Sequence, residues 1–434
     1  MMNLQRIFKF LRREQGGTTL FGFFMFSTGL LMSSYAIDVG KLEQQRTLLQ
    51  ATADSAAHDA LVKRELRPAT EAVQAALTSA ATNMTHENFG TVLKAQDVVF
   101  GTWDKNSRTF TANPASRSAV RVILRRTAAT SNPIGTYLMK LVGITHWDVV
   151  VSSTFATYQP ICLREGFVAE GVVDIQSNNS YLRKFCIHSN SYVKLSSNNF
   201  FEPGTVVSMP DLDLLQLPAS GFNTNAGLAE ALREGSMNIR VLRRLSLILA
   251  GVQNPTSTYY PSFLTSSTPV ALNINRIDAT NLLPGRIYIW SCNSGPGGTI
   301  KNGTVVSGVV IIANCDVTLG NGTAMENSVL ITTSTSANSI KSPNGFRLGV
   351  NDGCAPGGGG RIVSMGGMNF AADLEIHGSQ LLGMGDIEFA AKADGIEGAS
   401  IISNAGIDGT SNMTMSSCGG GMDEFTADYF QLVN

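Results

Sequence analysis

At 434 residues the chain has room for two or three domains, and a formal net charge of -1 leaves no global field to steer nucleic acid or an acidic substrate. Only 15% of the residues are charged, below the usual quarter, while glycine reaches 43. That texture argues against a soluble α/β enzyme and for β-structure built from many short strands and turns.

The chain opens with Arg6, Lys9, Arg12, Arg13 and Glu14, then carries no charge from Gln15 to Ile37. About 23 residues rising 1.5 Å each cover roughly 34 Å, enough for a bilayer core of ~30 Å. Hydrocarbon offers no backbone partners, so a helix is predicted. Gly22, Ser27, Thr28 and Gly29 lighten it and let neighbouring helices approach. Four cations precede the span and only Lys41 and Arg46 follow closely. The positive-inside bias therefore predicts a cytoplasmic N-terminus (1–14), a transmembrane helix (15–37) and an exported remainder. This makes a single-pass inner (plasma) membrane protein whose bulk is periplasmic or extracellular. A signal peptide cut near Ala36 fits less well, because the apolar stretch is long and the helical pattern runs on past it.

Beyond Asp38, the positions Val39, Leu42, Arg46, Leu49, Ala53, Ala56 and Ala60 form an a/d stripe broken once by Arg46. Such a stripe fits either a partner helix or the core of the same domain. Pro68 ends or kinks this helix, and a second is predicted from Thr70 to about Asn88. The texture then turns β-rich at 98–103, 109–111, 120–124 and 149–151, with a short helix predicted over 133–145. A helix lying on a small antiparallel sheet is the expected α+β domain over 38–160.

Residues 161–434 are expected to form a second, β-rich domain. Short apolar runs alternate with Ser- and Asn-rich turns, a helix-like insert is predicted over about 226–249, and Asn302-Gly303, Asn321-Gly322 and Asn344-Gly345 recur about 20 residues apart. Asn-Gly between apolar runs signals hairpins and an antiparallel sandwich. Its recurrence at one period favours stacked coils, that is, a parallel β-helix.

Six cysteines, Cys162, Cys186, Cys292, Cys315, Cys354 and Cys418, all follow the span. No CxxC pair occurs, so no metal site is expected. An even number in an oxidising space reads as three disulfides, with sequence-neighbour pairing one of fifteen connectivities. The nearest thing to a catalytic cluster is Asp352, Asp373, Glu375, His377, Asp386 and Glu388, of which alternation places Asp373, Glu375 and His377 on one face of a strand. A solvated face between turns explains it more simply. No Gly-x-Ser-x-Gly elbow, P-loop or His-Glu-x-x-His helix is present, and no basic patch with interleaved aromatics for nucleic acid. No catalytic residue and no cofactor are expected.

The run Phe10-Leu11-Arg12-Arg13-Glu14-Gln15-Gly16-Gly17, the span, Ile37-Asp38-Val39-Gly40-Lys41-Leu42 and Leu48-Leu49-Gln50-Ala51-Thr52-Ala53-Asp54-Ser55-Ala56-Ala57 together resemble the TadE/TadG-like proteins of the tight-adherence (Flp) pilus machinery. The likeness covers residues 1 to about 60 well and continues loosely to Thr157. It implies a pilin-like α+β domain, a non-enzymatic role in pilus assembly, and partners among other assembly proteins or pilin-like subunits, with a surface receptor or carbohydrate as a further partner. Prepilins carry a Glu five residues after the processing glycine. Here Phe21 and Gly22 stand there after Gly16 and Gly17, so no prepilin-type cut is expected. Many TadG-like proteins carry a von Willebrand A domain with an Asp-x-Ser-x-Ser metal site. That pentad is absent here. A membrane-anchored carbohydrate-active enzyme with a β-helix domain is the alternative reading.

Overall fold

The computed structural model describes residues 17–292, 297–419 and 425–434, so the basic residues 6–13 and Gly16 lie outside it. Two compact units emerge. The first runs to Tyr158 and also takes in Asp428–Asn434; the second is Gln159–Ala427.

The first unit is organised by one unbroken helix, α1 (Gly17–Arg64). No proline interrupts it, and Gly22, Gly29 and Gly40 are single positions that a long helix tolerates. Its N-terminal part exposes Phe, Leu and Met side chains, whereas from Leu49 onward one face is fully buried. After Pro68 the chain turns into α2 (Ala69–Asn83), which buries Ala72, Ala76 and Ala80 against α1. Alanine on both helices removes the side-chain spacer, so the backbones pack closely. Four antiparallel strands follow: β1 (Val98–Asp104), β2 (Thr109–Ala112), β3 (Ala119–Arg126) and β6 (Val149–Tyr158). They stand in the order β2-β1-β3-β6, and the final strand, Tyr429–Leu432, pairs with β6 as the fifth. Val98, Phe100, Val120, Val122, Leu124 and Val151 meet α1 in one core.

Three expectations are corrected here. Leu49, Ala53, Ala56 and Ala60 sit in the core of their own unit, so they are not a face for a partner helix; only Val39 and Leu42 of that stripe stay half-buried. The segment 133–145 is not a helix but a two-stranded hairpin, β4 (Ile134–Gly135) with β5 (His146–Trp147), capped by a 3-10 turn at Met139–Val142. Pro133, Gly135 and Gly143, the last at φ 91°, break helical continuity. The terminal strand, expected inside the C-terminal domain, belongs to the first unit's sheet.

In the second unit, every strand pair among the described residues is parallel, and most partners lie about twenty residues apart, as in Phe167↔Ile187 and Val310↔Val329. The strands fall into three rows. One row stacks Pro269–Leu272, Arg286–Trp290, Val309–Ala313, Ser328–Thr332 and Gly360–Ser364. It continues through the ends of the long strands Met368–Gly383 and Ile387–Ser403. Gly166–Ala169, Cys186–Ser189, Val206–Met209 and Leu232–Glu234 follow. The stack therefore does not follow chain order. The first strand of the unit lies against the last long one, through Phe167↔Ile401. Residues 235–268 carry the chain from one end of the stack to the other.

Asn-Gly marks the corners of this stack, not hairpins. Gly303, Gly322 and Gly345 have φ of 66–68°, and Gly303 N–H donates to Asn321 O (2.8 Å) as Gly322 N–H does to Asn344 O (3.2 Å). The insert expected as a helix holds only single turns at Leu228–Ala231 and Leu242–Arg244 and the short helix Leu245–Gly251, since Gly227 adopts φ 81°. Inward positions stack like on like: Tyr181 on Phe201 (ring centroids 4.7 Å apart, planes 13° apart) and Phe346 on Phe370 (5.7 Å, 13°). Disulfides join Cys162–Cys186, Cys292–Cys315 and Cys354–Cys418.

Candidate functional site

Two places are built with more care than packing alone requires. The first lies where α1 passes from exposed apolar residues to a packed face. Asp38 is the first charge after the apolar stretch, and its side chain is fully buried. Its Oδ1 accepts the Tyr137 N–H (2.6 Å), and Oδ2 accepts those of Leu138 (2.8 Å) and Met139 (2.7 Å). The carboxylate thus caps the start of the 3-10 turn, where unpaired amides concentrate. Lys41, three residues on and on the same side of the helix, donates from Nζ to Gly135 O (2.6 Å) and lies 3.7 Å from the Tyr137 ring centroid. Burial alone pushes the Asp38 carboxyl up; the three backbone donors and the nearby Lys41 charge outweigh it and hold it below the usual carboxylate range. The "DVGK" run is therefore a clamp that fixes the 134–147 hairpin to α1.

The second place is the ion-paired surface of the stacked strands. Asp373 sits at a left-handed corner (φ 51°), exposed, at a register shift of the ladder. Glu375 and His377 do face the same way: His377 Nε2 is 3.6 Å from Glu375 Oε2, an ion-pair separation beyond hydrogen-bond reach. Glu375 Oε1 also accepts from Lys392 Nζ at 2.9 Å. The Lys392 hydrogen bond lowers the Glu375 carboxyl and prevails over its burial. Burial pushes the His377 imidazole down, and Glu375 and Glu397 pull it only part of the way back. A general acid needs a carboxyl held up, toward neutrality; Glu375 goes the other way. Neighbouring rungs continue the pairing, Arg347 with Glu326 (2.5 Å) and Arg183 with Glu397 (3.1 Å). This is a ladder of alternating charge.

A column of which sequence reading picked out only Glu388 crosses the adjacent row. Register places Asn369, Glu388, Asp408, Asp174 and Lys194 side by side on successive strands. Lys194 Nζ donates to Asp174 Oδ2 (2.5 Å) and Asn369 Nδ2 to Glu388 Oε2 (2.7 Å), leaving Asp408 between two carboxylates. Burial, then Asp174 and Glu388, raise its carboxyl against the pull of Lys194. No sequence signal could have joined residues 174 and 408. Among the described residues, the group of metal-ligating atoms that converges is Cys354, Glu397 and Cys418, and both of its sulfurs already form a disulfide.

Against this geometry the comparisons with known proteins divide along the chain. A family model for Flp pilus-assembly TadE/G-like proteins matches residues 16–81, and one for Tad-like Flp pilus-assembly proteins matches 55–154. Across residues 16–154 this is a TadE/TadG-like protein. More than half of this TadE/TadG-like chain, residues 166–419, also matches the family described as Domain of unknown function (DUF7867), to which the second unit belongs. No curated protein and no solved structure matches the chain. The Tad matches cover α1, the clamp residue Asp38, β1 to β3 and the first part of β6, which makes the chain a pilus-assembly component that works with other components of that machinery. The DUF7867 match covers the parallel strands with both charge columns.

Proposed function

We propose that this chain is a non-enzymatic structural component of a Flp-type pilus machine, anchored in the inner membrane by residues 15–37. Residues 1–14 lie in the cytoplasm and the bulk in the periplasm or outside the cell. In this reading 38–160 is a pilin-like α+β domain and the second unit is a parallel β-helix that presents a binding or spacer surface to a partner, receptor or carbohydrate. The observation that carries the proposal is α1: one helix whose exposed apolar part is long enough to cross a membrane runs without a break into a domain core. A peptide continuous through that junction holds the unit at a fixed height above the bilayer, as an assembly component requires. Three disulfides fit an exported, oxidising location. The ion-paired Glu375 gives no support to a carbohydrate-cleaving site.

Deleting the gene tests the role: surface pili and adherence are expected to be lost and restored by the full-length chain. Unchanged piliation overturns the proposal. Protease added to spheroplasts tests the orientation, since it should digest the chain beyond Asp38. Digestion confined to inverted vesicles would reverse the topology.

A further inference from the structure

The connection between β3 and β6, residues 127–148, lies at a defined end of the first unit. β3 begins near the far end of α1, where Arg117 Nη1 donates to Glu65 O (3.0 Å). It ends beside Gln45, whose Oε1 accepts from Arg126 Nη1 (2.5 Å). The connection therefore emerges toward Asp38, where α1 turns apolar. There the hairpin exposes Leu141 (80%), Tyr137 (57%), Val142 (51%), Ile144 (39%) and Leu138 (37%). An ordinary solvent-facing turn is polar, and Gly, Asn, Asp and Ser dominate it. From Pro133 to Trp147 this segment has no acidic residue; Lys140 and His146 are its only basic ones.

The hairpin is also held in place. Besides the Asp38 and Lys41 contacts, Thr136 Oγ1 donates to Ile144 O across it (2.6 Å). The Asp38 anchor attaches the hairpin to α1 within three residues of the last exposed apolar residues of the span, Tyr35 (59%) and Ile37 (52%). Exposed apolar residues of α1 and of the hairpin thus lie on either side of the Asp38 anchor. Tyr and Trp flanking aliphatic residues, with a lysine able to reach outward, is the composition of a membrane interface.

We propose that residues 136–147 form a second membrane contact, a clamped hairpin whose Tyr137, Leu141, Val142 and Ile144 enter the interfacial layer of the leaflet from which α1 emerges. The occupant of this surface is lipid. The proposal rests on the reading of α1 as a membrane anchor. With two points of attachment the domain cannot swivel freely about the helix axis, so the sheet meets its partners at one orientation.

All six cysteines are in disulfides, so a thiol-reactive fluorophore finds only an introduced cysteine. Full-length chain carrying the fluorophore at Leu141→Cys, at Phe24→Cys within the span, or at Asn106→Cys in the exposed β1–β2 turn is reconstituted into phosphatidylcholine–phosphatidylglycerol vesicles. Nitroxide on the upper acyl chains samples the layer about 5–10 Å deep where interfacial apolar faces lie. Loss of Leu141 emission with nitroxide lipid, together with resistance to aqueous iodide, is the expected result; the Asn106 label should behave oppositely. Iodide quenching at Leu141 with lipid quenching at Phe24 overturns the hairpin contact and leaves the anchor standing. Absence of lipid quenching at Phe24 overturns the anchor itself. A Leu141 label shielded from both quenchers means that protein covers the hairpin, which also overturns the proposal.

Discussion

Asp38 shows how one carboxylate does the work of a short domain interface within a unit. Removing its charge while keeping its shape, Asp38→Asn, leaves one amide nitrogen facing backbone N–H donors it cannot accept from. Amides 137–139 should then exchange with solvent markedly faster, with little change in the sheet, and hydrogen-exchange mass spectrometry reads this directly. The pH sign follows from the lowered carboxyl: the stabilisation is complete above the ordinary carboxylate value and disappears as pH falls through the depressed folded one. Protection of 137–139 should therefore hold at neutral pH and fail in strong acid. Tyr181 makes the opposite case. Its ring is fully buried against Phe201, burial raises its phenol well above the ordinary value, and its hydroxyl has no hydrogen-bond partner. Tyr181→Phe removes a desolvated hydroxyl without opening a cavity. It should stabilise the second unit by about 1 kcal/mol, seen as a higher thermal midpoint.

At the scale of the element, stacked strands turn each side chain into one member of a column, and the column decides what a residue contributes. Asp408 illustrates this. Alone it is an unremarkable turn-flanking acid; between Asp174 and Glu388 it is a repelled one, with its carboxyl raised. A raised carboxyl opposes folding once ionised, so its penalty is absent in acid and present at neutral pH. Asp408→Asn should thus stabilise by about 0.5 kcal/mol at pH 7, the scale of like charges placed opposite across strands. The gain should vanish in urea unfolding near pH 3. Buried Asn179, Asn199 and Asn225 form another column, in which Asn199 Oδ1 accepts the Asn179 N–H (2.9 Å) and Asn225 Oδ1 accepts from Asn199 Nδ2 (3.1 Å). In sequence these asparagines read only as turn punctuation. The period of about twenty was legible in the Asn-Gly corners, and the long helix in its lack of proline. The columns were not, because register across the stacked strands is set by stacking and leaves no local trace. The 133–145 segment misled for a related reason: its apolar residues have helical spacing, yet Gly135 and Gly143 and the distant Asp38 make it a hairpin.

The whole molecule is one unit inserted into another. The chain leaves the first sheet at Tyr158 and returns at Tyr429, and these two residues are paired neighbours in antiparallel register. Such an insertion requires the second unit to begin and end at adjacent points, and the permuted stack supplies this. Gly166 pairs with Ser400, whose Oγ donates to Leu163 O (2.9 Å), and Glu165 accepts from Ser417 and from the Gly419 amide (3.0 Å). A stack in simple chain order would leave its first and last strands far apart, and no terminal strand could return to pair with β6. Local sequence cannot reveal this, since the pairs that fix it are more than two hundred residues apart. The terminal strand then completes the first sheet: Phe430 meets His58 of α1 edge-on at 6.0 Å, and the Asp428 N–H is held by Glu65 (2.7 Å). Ending the chain at Ala427 should therefore leave amide protection in the second unit intact, because all of its own strand pairs survive. The first unit should lose protection along β6 at 155–158 and around His58 and Glu65. If the second unit loosened instead, its closure would depend on the terminal strand and the insertion scheme would be wrong.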